Sequence, residues 1–176
     1  TIDTLKLLSN IPVHKVLNYF FRNNGNLTFS NISKTCGIDL PSFSNGAAYA
    51  DLDNDGDLDL VVNNLSDAPF IYKNNSTENK AGNYIRFKLM GTPKNVEGIG
   101  AIIQIETPDG VKQVQHFNPD RGYISSHERV VHFGVAQNKK AKVTVTWTNG
   151  TTQTIDSLDV NKVYTLNVFN ASSKVK

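Results

Sequence analysis

The 176-residue sequence contains a single cysteine, Cys36. One thiol cannot form a disulfide within the chain, so packing and bound ions must stabilise the fold. We expect Cys36 to be a small buried apolar residue rather than a nucleophile, because no neighbouring histidine is present to activate its thiol.

Concentrated positive charge and long apolar runs are absent as well. The formal net charge is +2 and the lysines are scattered, so the basic tract that nucleic-acid binding requires is missing. No apolar run is long enough to cross a bilayer, so we expect no transmembrane segment in this chain. Hydrophobic residues make up 39% of the sequence, which is enough to bury the core of one medium domain or two small ones.

The densest charge lies in the loop 51–59, DLDNDGDLD, with carboxylates at loop positions 1, 3, 5, 7 and 9 and Gly56 at position 6. Odd-numbered positions converge on one cation only if the chain reverses tightly, which glycine permits because it tolerates positive φ. Calcium fits this pattern, since it takes about 6 to 8 hard oxygen ligands. The alternative is a solvated acidic turn, but turns rarely need a carboxylate at every second position.

This spacing assigns a set of metal ligands. They are the side-chain oxygens of Asp51, Asp53, Asp55 and Asp59 and, by analogy with other loops of this spacing, the backbone carbonyl of Asp57. An EF-hand is excluded, because its bidentate glutamate belongs at position 12, where the sequence has Val62. The flanking residues lack a helical period, so the loop is predicted to join two strands.

The run SNGAAYADLDNDGDLDLVV, which begins at Ser44, resembles the FG-GAP (VCBS-type) repeat. This repeat is a β-propeller blade with a calcium loop, found in integrin α-chains and many bacterial surface proteins. The sequence matches the Asp-x-Asp-x-Asp-Gly-x-x-Asp pattern at every acidic position. The resemblance implies a structural Ca²⁺ in one blade of a tandem array.

A short internal repeat supports the interpretation of this region as a propeller blade. Residues 19–24, YFFRNN, align with residues 70–75, FIYKNN, at an offset of 51 residues, which is of blade size. Residues 19–31 read as a hairpin that turns at Asn24 and Gly25. A propeller needs about 4 to 8 blades, so we expect this chain to be the C-terminal piece of a larger repeat protein.

The second half of the sequence has a different pattern. Seven strand-like runs follow one another, at 84–89, 101–106, 111–117, 129–135, 142–147, 151–155 and 163–169. Turn signals stand between them, such as PDG ending at Gly110, and apolar residues alternate with polar ones, as in Val143, Val145 and Trp147. Seven short strands in this length are typical of a β-sandwich or small barrel.

This half resembles the ASPIC/UnbV domain, which commonly follows FG-GAP repeats in cartilage-acidic-protein-like and bacterial surface proteins. The matching segments are GNYIRFKLMGT from Gly82, EGIGA from Glu97, RGYISSHERVVHFGV from Arg121 and VTWTNGTTQTI from Val145. The family usually has proline after the tryptophan, where this chain has Thr148. The resemblance implies a fold but no settled biochemical activity.

Together these patterns predict an all-β chain. A partial β-propeller blade with a calcium loop is followed by a small antiparallel β-sandwich or barrel. The predicted bounds are a partly helical lead-in at 1–18, the FG-GAP-like repeat at 19–80, the ASPIC/UnbV-like domain at 81–170 and a tail at 171–176.

An enzymatic role has little support in the sequence. His127 and His132 lie five residues apart, and strand residues at an odd spacing face opposite sides, which argues against a shared metal. Ser125 and Ser126 adjoin His127 but cannot form a triad with it. The glutamates considered as a glycosidase-like pair lie in no recognisable motif: Glu97, Glu106 and Glu128.

Arg121, Tyr123 and His127 lie in the most polar and least periodic part of the second half. We predict that they form a contact surface, because binding residues concentrate on such loops. The alternative is a turn held by Gly122 and by hydrogen bonds from Arg121.

These features predict a non-enzymatic, calcium-stabilised module that recognises or adheres to a protein or glycan. It would be secreted, periplasmic or on the cell surface, with a calcium dissociation constant of about 10⁻⁴ to 10⁻³ M. The alternative is an accessory domain of a carbohydrate-active or other hydrolytic enzyme whose catalytic part lies upstream. A third possibility is that the loop metal acts as a Lewis acid.

Overall fold

The computed structural model describes residues 14–120, 126–171 and 173–174, and these residues confirm the predicted all-β fold. The first seven strands are β1 (Val16–Leu17), β2 (Phe21–Asn23), β3 (Phe29–Asn31), β4 (Pro41–Ser42), β5 (Ser44–Ala50), β6 (Asp59–Asn64) and β7 (Phe70–Tyr72). The others are β8 (Tyr84–Met90), β9 (Ile102–Glu106), β10 (Lys112–His116), β11 (Val131–Gly134), β12 (Lys140–Thr146), β13 (Thr151–Asp159), β14 (Val163–Asn167) and β15 (Ser173–Lys174).

Helix is scarce in the described part of the chain, where it is limited to a 3₁₀ turn, η1 (Val168–Asn170). Within those residues, no helix has the length and apolar character needed to cross a membrane. Most of the predicted helical lead-in, residues 1–13, lies outside the described residues, and its described end forms β1, which pairs with β4.

Contacts within the chain divide it into two compact units. The first comprises Thr1–Ala47 with Val61–Tyr72, and the second comprises Ala48–Leu60 with Lys73–Lys176. The acidic loop 51–59 therefore belongs to the second unit, together with the sandwich strands. The predicted domain boundary at residue 80 stays a prediction.

The first unit buries little apolar surface. β2 and β3 form the predicted hairpin, with Phe21 opposite Asn31. Among its described residues, the buried hydrophobic side chains are those of Ile38 and Val62, while Cys36 is exposed, so the expectation of a buried cysteine was wrong. Large exposed side chains include Tyr19, Phe21, Leu27 and Phe29. One blade of a repeat array packs on its neighbours, so exposed apolar side chains are typical of a blade without them.

The predicted internal repeat has a structural counterpart in local turns. Asn23 Oδ1 accepts a hydrogen bond from the Gly25 N–H at 2.8 Å, and Asn74 Oδ1 accepts one from the Ser76 N–H at 3.1 Å. Asparagine side chains commonly stabilise such turns by bonding the backbone two residues on. The same turn therefore follows an aromatic segment at both positions of the repeat.

The second unit has the hydrophobic core. Its two sheets have the strand orders β10-β9-β12-β13-β15 and β11-β8-β14, and all seven predicted strands are present. Both sheets contribute side chains to one buried cluster, in which Phe87 and Phe133 meet edge to face with ring centroids 6.1 Å apart. Ile103, Val143 and Val145 are fully buried, which confirms the predicted alternation.

Two features of this unit were not predicted. β14 pairs with β8 in parallel, a pairing that needs a long crossover and leaves no local turn signal. In addition, Gln113 and Gln115 of β10 donate side-chain hydrogen bonds to the carbonyls of Gly134 and His132 on β11, at 2.7 and 2.6 Å. Glutamine amides thus connect the edges of the two sheets.

Candidate functional site

The acidic loop 51–59 joins β5 to β6, as its flanking residues predicted. Gly56 adopts a φ of +97°, and a Cβ atom built on it would lie 1.9 Å from the Tyr84 ring. A side chain at this position would therefore be strained by the backbone and would also collide with β8. The tight reversal predicted at loop position 6 is present, and it requires glycine for two separate reasons.

Three of the predicted ligands converge within this loop. Asp51, Asp53 and Asp55 each offer a carboxylate oxygen, and these oxygens lie within 4.8 Å of one another. Asp51 Oδ1 and Asp55 Oδ2 are buried and have no hydrogen-bond partner among the described residues. Buried unpaired carboxylate oxygens are costly unless a cation or donor satisfies them. This set of hard oxygen donors fits Ca²⁺.

Asp59 occupies a different position in the loop. Its Oδ2 accepts the Leu52 N–H at 3.1 Å and its Oδ1 accepts the Asn74 N–H at 2.8 Å. Oδ2 therefore closes the loop, and Oδ1 connects the loop to the backbone at Asn74. Each oxygen retains a further lone pair. The predicted ligand role of Asp59 stays a prediction.

Asp57 directs its side chain toward a second acidic group. Its Oδ2 accepts the Thr77 N–H at 2.9 Å, and oxygens of Asp55, Asp57 and Glu78 lie within 4.8 Å of one another. Burial raises the pKa of Asp57, and the nearby charges of Asp55, Asp59 and Glu78 raise it further. Glu78 was not predicted, because nothing in the sequence relates it to the loop.

Lys73 lies on the exposed side of the loop. Its Nζ is 2.6 Å from Asp53 Oδ2, 2.7 Å from Glu78 Oε1 and 3.9 Å from Asp55 Oδ2. The hydrogen bond from Lys73 lowers the pKa of Asp53 and that of Glu78, and these carboxylates in turn raise the pKa of Lys73. The ammonium therefore neutralises part of the acidic cluster.

Arg86 of β8 lies on the buried side of the loop. Its Nη1 donates to Asp51 Oδ2, and its Nη2 donates to both carboxylate oxygens of Glu128 at 2.6 Å. The residue is only 5% exposed. Successive strand side chains point to opposite faces, so Arg86 faces away from the core that contains Ile85 and Phe87. It carries a buried positive charge between two carboxylates.

The predicted contact surface is described only in part. Arg121 and Tyr123 lie outside the described residues. The His127 ring stacks on Tyr49 with ring centroids 4.1 Å apart, and the backbone N–H of His127 donates to the Pro119 carbonyl at 2.9 Å.

His127 and His132 line one cavity of about 170 Å³. Its other lining residues are Tyr49, Leu58, Gln115, His116, Phe117, Asn118, Pro119, Glu128, Val130 and Val131. The prediction that the two histidines face opposite sides of a strand was wrong, because β11 begins at Val131 and His127 precedes it. Burial lowers the pKa of His132 to about 4, with a further contribution from the Arg86 charge, so this imidazole is neutral at pH 7.

The three glutamates considered for catalysis each have a basic partner. Glu97 pairs with Arg129, Glu106 pairs with Lys112 at 3.7 Å, and Glu128 binds Arg86. Among the two serines, Ser126 forms a backbone bridge with Asp120, and Ser125 lies outside the described residues. The three carboxylates are thus engaged in ion pairs, and Ser126 is engaged in a backbone bridge.

Comparison with known proteins finds matches to two family models. Residues 13–62 match the family model described as FG-GAP-like repeat, and residues 91–173 match that described as ASPIC and UnbV. Both are typically non-catalytic modules.

The chain is also 33% identical over 78 residues to cartilage acidic protein 1 of Mus musculus and of Homo sapiens. The aligned residues are 44% of this chain but only 12% of the mouse protein and 11% of the human one. Residues 13–62 thus match an FG-GAP-like repeat, residues 91–173 match an ASPIC and UnbV domain, and part of the chain is homologous to part of cartilage acidic protein 1.

Proposed function

We propose that this chain is a calcium-stabilised extracellular module that recognises a protein or a glycan. The observation that carries the proposal is the convergence of Asp51, Asp53 and Asp55, together with the buried, unpaired Oδ1 of Asp51. A loop that is closed by its own backbone bonds and still leaves carboxylate oxygens unsatisfied is suited to hold a cation.

The ion would be structural. Side-chain oxygens of Asp51, Asp53 and Asp55 would hold it, and the Asp57 carbonyl and the Asp59 carboxylate are the further ligands that the loop spacing predicts. A bound Ca²⁺ would neutralise the acidic cluster and tie β5 to β6, because metal binding to the folded loop adds to the folding free energy.

Domain content supports an extracellular setting. FG-GAP-like and ASPIC/UnbV domains are consistent with an extracellular module. The predicted calcium dissociation constant of about 10⁻⁴ to 10⁻³ M would suit calcium-rich surroundings outside cells.

The recognition site we propose is the cavity beside His127. It combines the stacked Tyr49 and His127 rings with the amides of Gln115 and Asn118. At about 170 Å³ it is smaller than the roughly 300–1,000 Å³ of most small-molecule sites. It therefore fits one side chain or one sugar ring of a larger partner.

Thermal unfolding with saturating calcium and with a chelator tests the metal role. Calcium at about 100 times its dissociation constant should raise the melting temperature by about 5 to 10 °C. Asp53→Ala and Asp55→Ala should abolish the rise. Asp156→Ala is the matched control, because this carboxylate is exposed and pairs with Lys142 away from the loop. An unchanged melting temperature in the parent chain would contradict the proposal.

A further inference from the structure

Arg86 connects two segments that are far apart in the sequence. Its guanidinium binds Asp51, at the first position of the acidic loop, and Glu128, in the wall of the cavity. The guanidinium fork binds carboxylates at fixed angles, so it fixes the orientation of both groups.

At Asp51 the hydrogen bonds fall on one oxygen only. Oδ2 accepts from Arg86 Nη1 and from the Gly56 N–H at 3.1 Å, whereas Oδ1 is buried and has no hydrogen-bond partner among the described residues. Two donors thus hold the carboxylate by Oδ2. Oδ1 keeps its lone pairs available for a cation.

We propose that Arg86 is a positioning residue that couples the cation loop to the cavity wall. It orients Asp51 for the ion and Glu128 beside His127, so that ion binding at the loop orders residues 126–130. The inference rests on the proposed function, because it requires the loop to bind calcium.

The charge of Arg86 does not make it a competitor of the ion. Glu128 places both carboxylate oxygens 2.6 Å from Nη2, which compensates the guanidinium charge on the side away from Asp51. The group of Asp51, Arg86 and Glu128 carries a net charge of about −1 when all three are ionised. A divalent cation is therefore still attracted to this group.

The test measures calcium binding by isothermal titration calorimetry in the parent chain and in two variants. Arg86→Lys keeps the positive charge but cannot bind two carboxylates as a fork. Loss of such an outer partner typically weakens metal binding about 10- to 100-fold, and we expect a loss in this range. Glu128→Gln keeps the side-chain shape and should also weaken binding, because it removes the compensating charge. Arg129→Lys is the matched control, since its exposed guanidinium pairs with Glu97.

Hydrogen exchange supplies a readout that a purely structural ion pair would not change. Calcium should slow exchange of the amides of residues 126–130 in the parent chain and in Arg129→Lys. This protection should be lost in Arg86→Lys and reduced in Glu128→Gln. Circular dichroism confirms that each variant is folded at the temperature used, and Glu128→Gln decides the outcome if Arg86→Lys does not fold.

The outcomes separate the two ideas. If the parent chain binds no calcium at millimolar concentration, the proposed function fails and the coupling fails with it. If the parent chain binds calcium and the folded variants bind it as tightly and keep the calcium-dependent protection, the coupling is overturned while the calcium site stands.

Discussion

The acidic loop 51–59 meets a basic side chain on each of its two sides, and the two pairs differ in burial. Arg86 is 5% exposed and joins Asp51 to Glu128. The Lys73 side chain is 50% exposed and joins Asp53 to Glu78. Water can replace the ammonium at the Lys73 pairs but has little access to the contact between Arg86 and Asp51, whose side chains are 6% and 1% exposed. The Arg86 ion pair therefore fixes the orientation of the Asp51 carboxylate, whereas the Lys73 ion pairs can exchange with water.

The largest effect should come from removing the buried cation. Arg86→Met should lower the free energy of unfolding by about 3–5 kcal/mol, because it leaves the Asp51 carboxylate buried without compensation. Urea denaturation in the presence of a chelator measures this loss. Arg129→Met is the control, and because Arg129 is exposed it should cost less than about 1 kcal/mol. Equal losses in the two variants would contradict the comparison.

The contact of the loop with β8 should give the next largest effect. Gly56→Ala should destabilise the fold by about 2–4 kcal/mol, since it combines a strained φ with collision against Tyr84. Gly110→Ala separates the two causes, because Gly110 has a φ of +84° but nothing within 4 Å of an added Cβ. Gly110→Ala should lower the free energy of unfolding by about 1 kcal/mol, measured by the same denaturation. If both glycines respond alike, the close packing of the loop on β8 is contradicted.

Acid should lower the free energy of unfolding through His132. Its pKa falls from 6.5 to about 4 in the folded chain, so the unfolded chain binds the proton more readily and stability decreases as the pH falls through this window. The loss between pH 7.5 and 4.5 should be about 2–3 kcal/mol. It is measured as the difference between the parent chain and His132→Gln, with the exposed His116→Gln as control. A His132→Gln variant with the parent's pH dependence would exclude this assignment.

Local patterns predicted much of the fold and the centre of the site. The alternation that buries Val143 and Val145 is a property of a single strand. The acidic spacing and Gly56 are contained in nine consecutive residues, so the loop was also visible in the sequence.

Contacts between distant residues were not visible. Arg86 and Lys88 occupy alternate positions of one strand, and no sequence signal distinguishes the buried arginine from the exposed lysine. Glu78 joins the acidic group through tertiary contacts, because the Thr77 N–H binds Asp57 and Lys73 bridges Glu78 to Asp53. The histidines were misjudged for a related reason, since strand periodicity was applied to His127, which lies outside β11. In each case the position of the residue in the folded chain, and not the local sequence pattern, determines its contacts.

Removal of the exposed cation, Lys73, should have the smallest effect on stability. It should strengthen metal binding, whereas changes at Arg86 should weaken it. Lys73 binds Asp53 Oδ2 and lies 3.9 Å from Asp55 Oδ2, which has no hydrogen-bond partner among the described residues, so its charge repels an ion that approaches the same carboxylates. Lys73→Met should therefore tighten calcium binding by about two- to tenfold at low ionic strength, and the gain should shrink as salt screens the repulsion. Calorimetric titration at two salt concentrations measures this, with Lys142→Met as control. Weaker calcium binding in Lys73→Met would mean that this lysine orients the loop as Arg86 does, and the contrast between the two sides would fail.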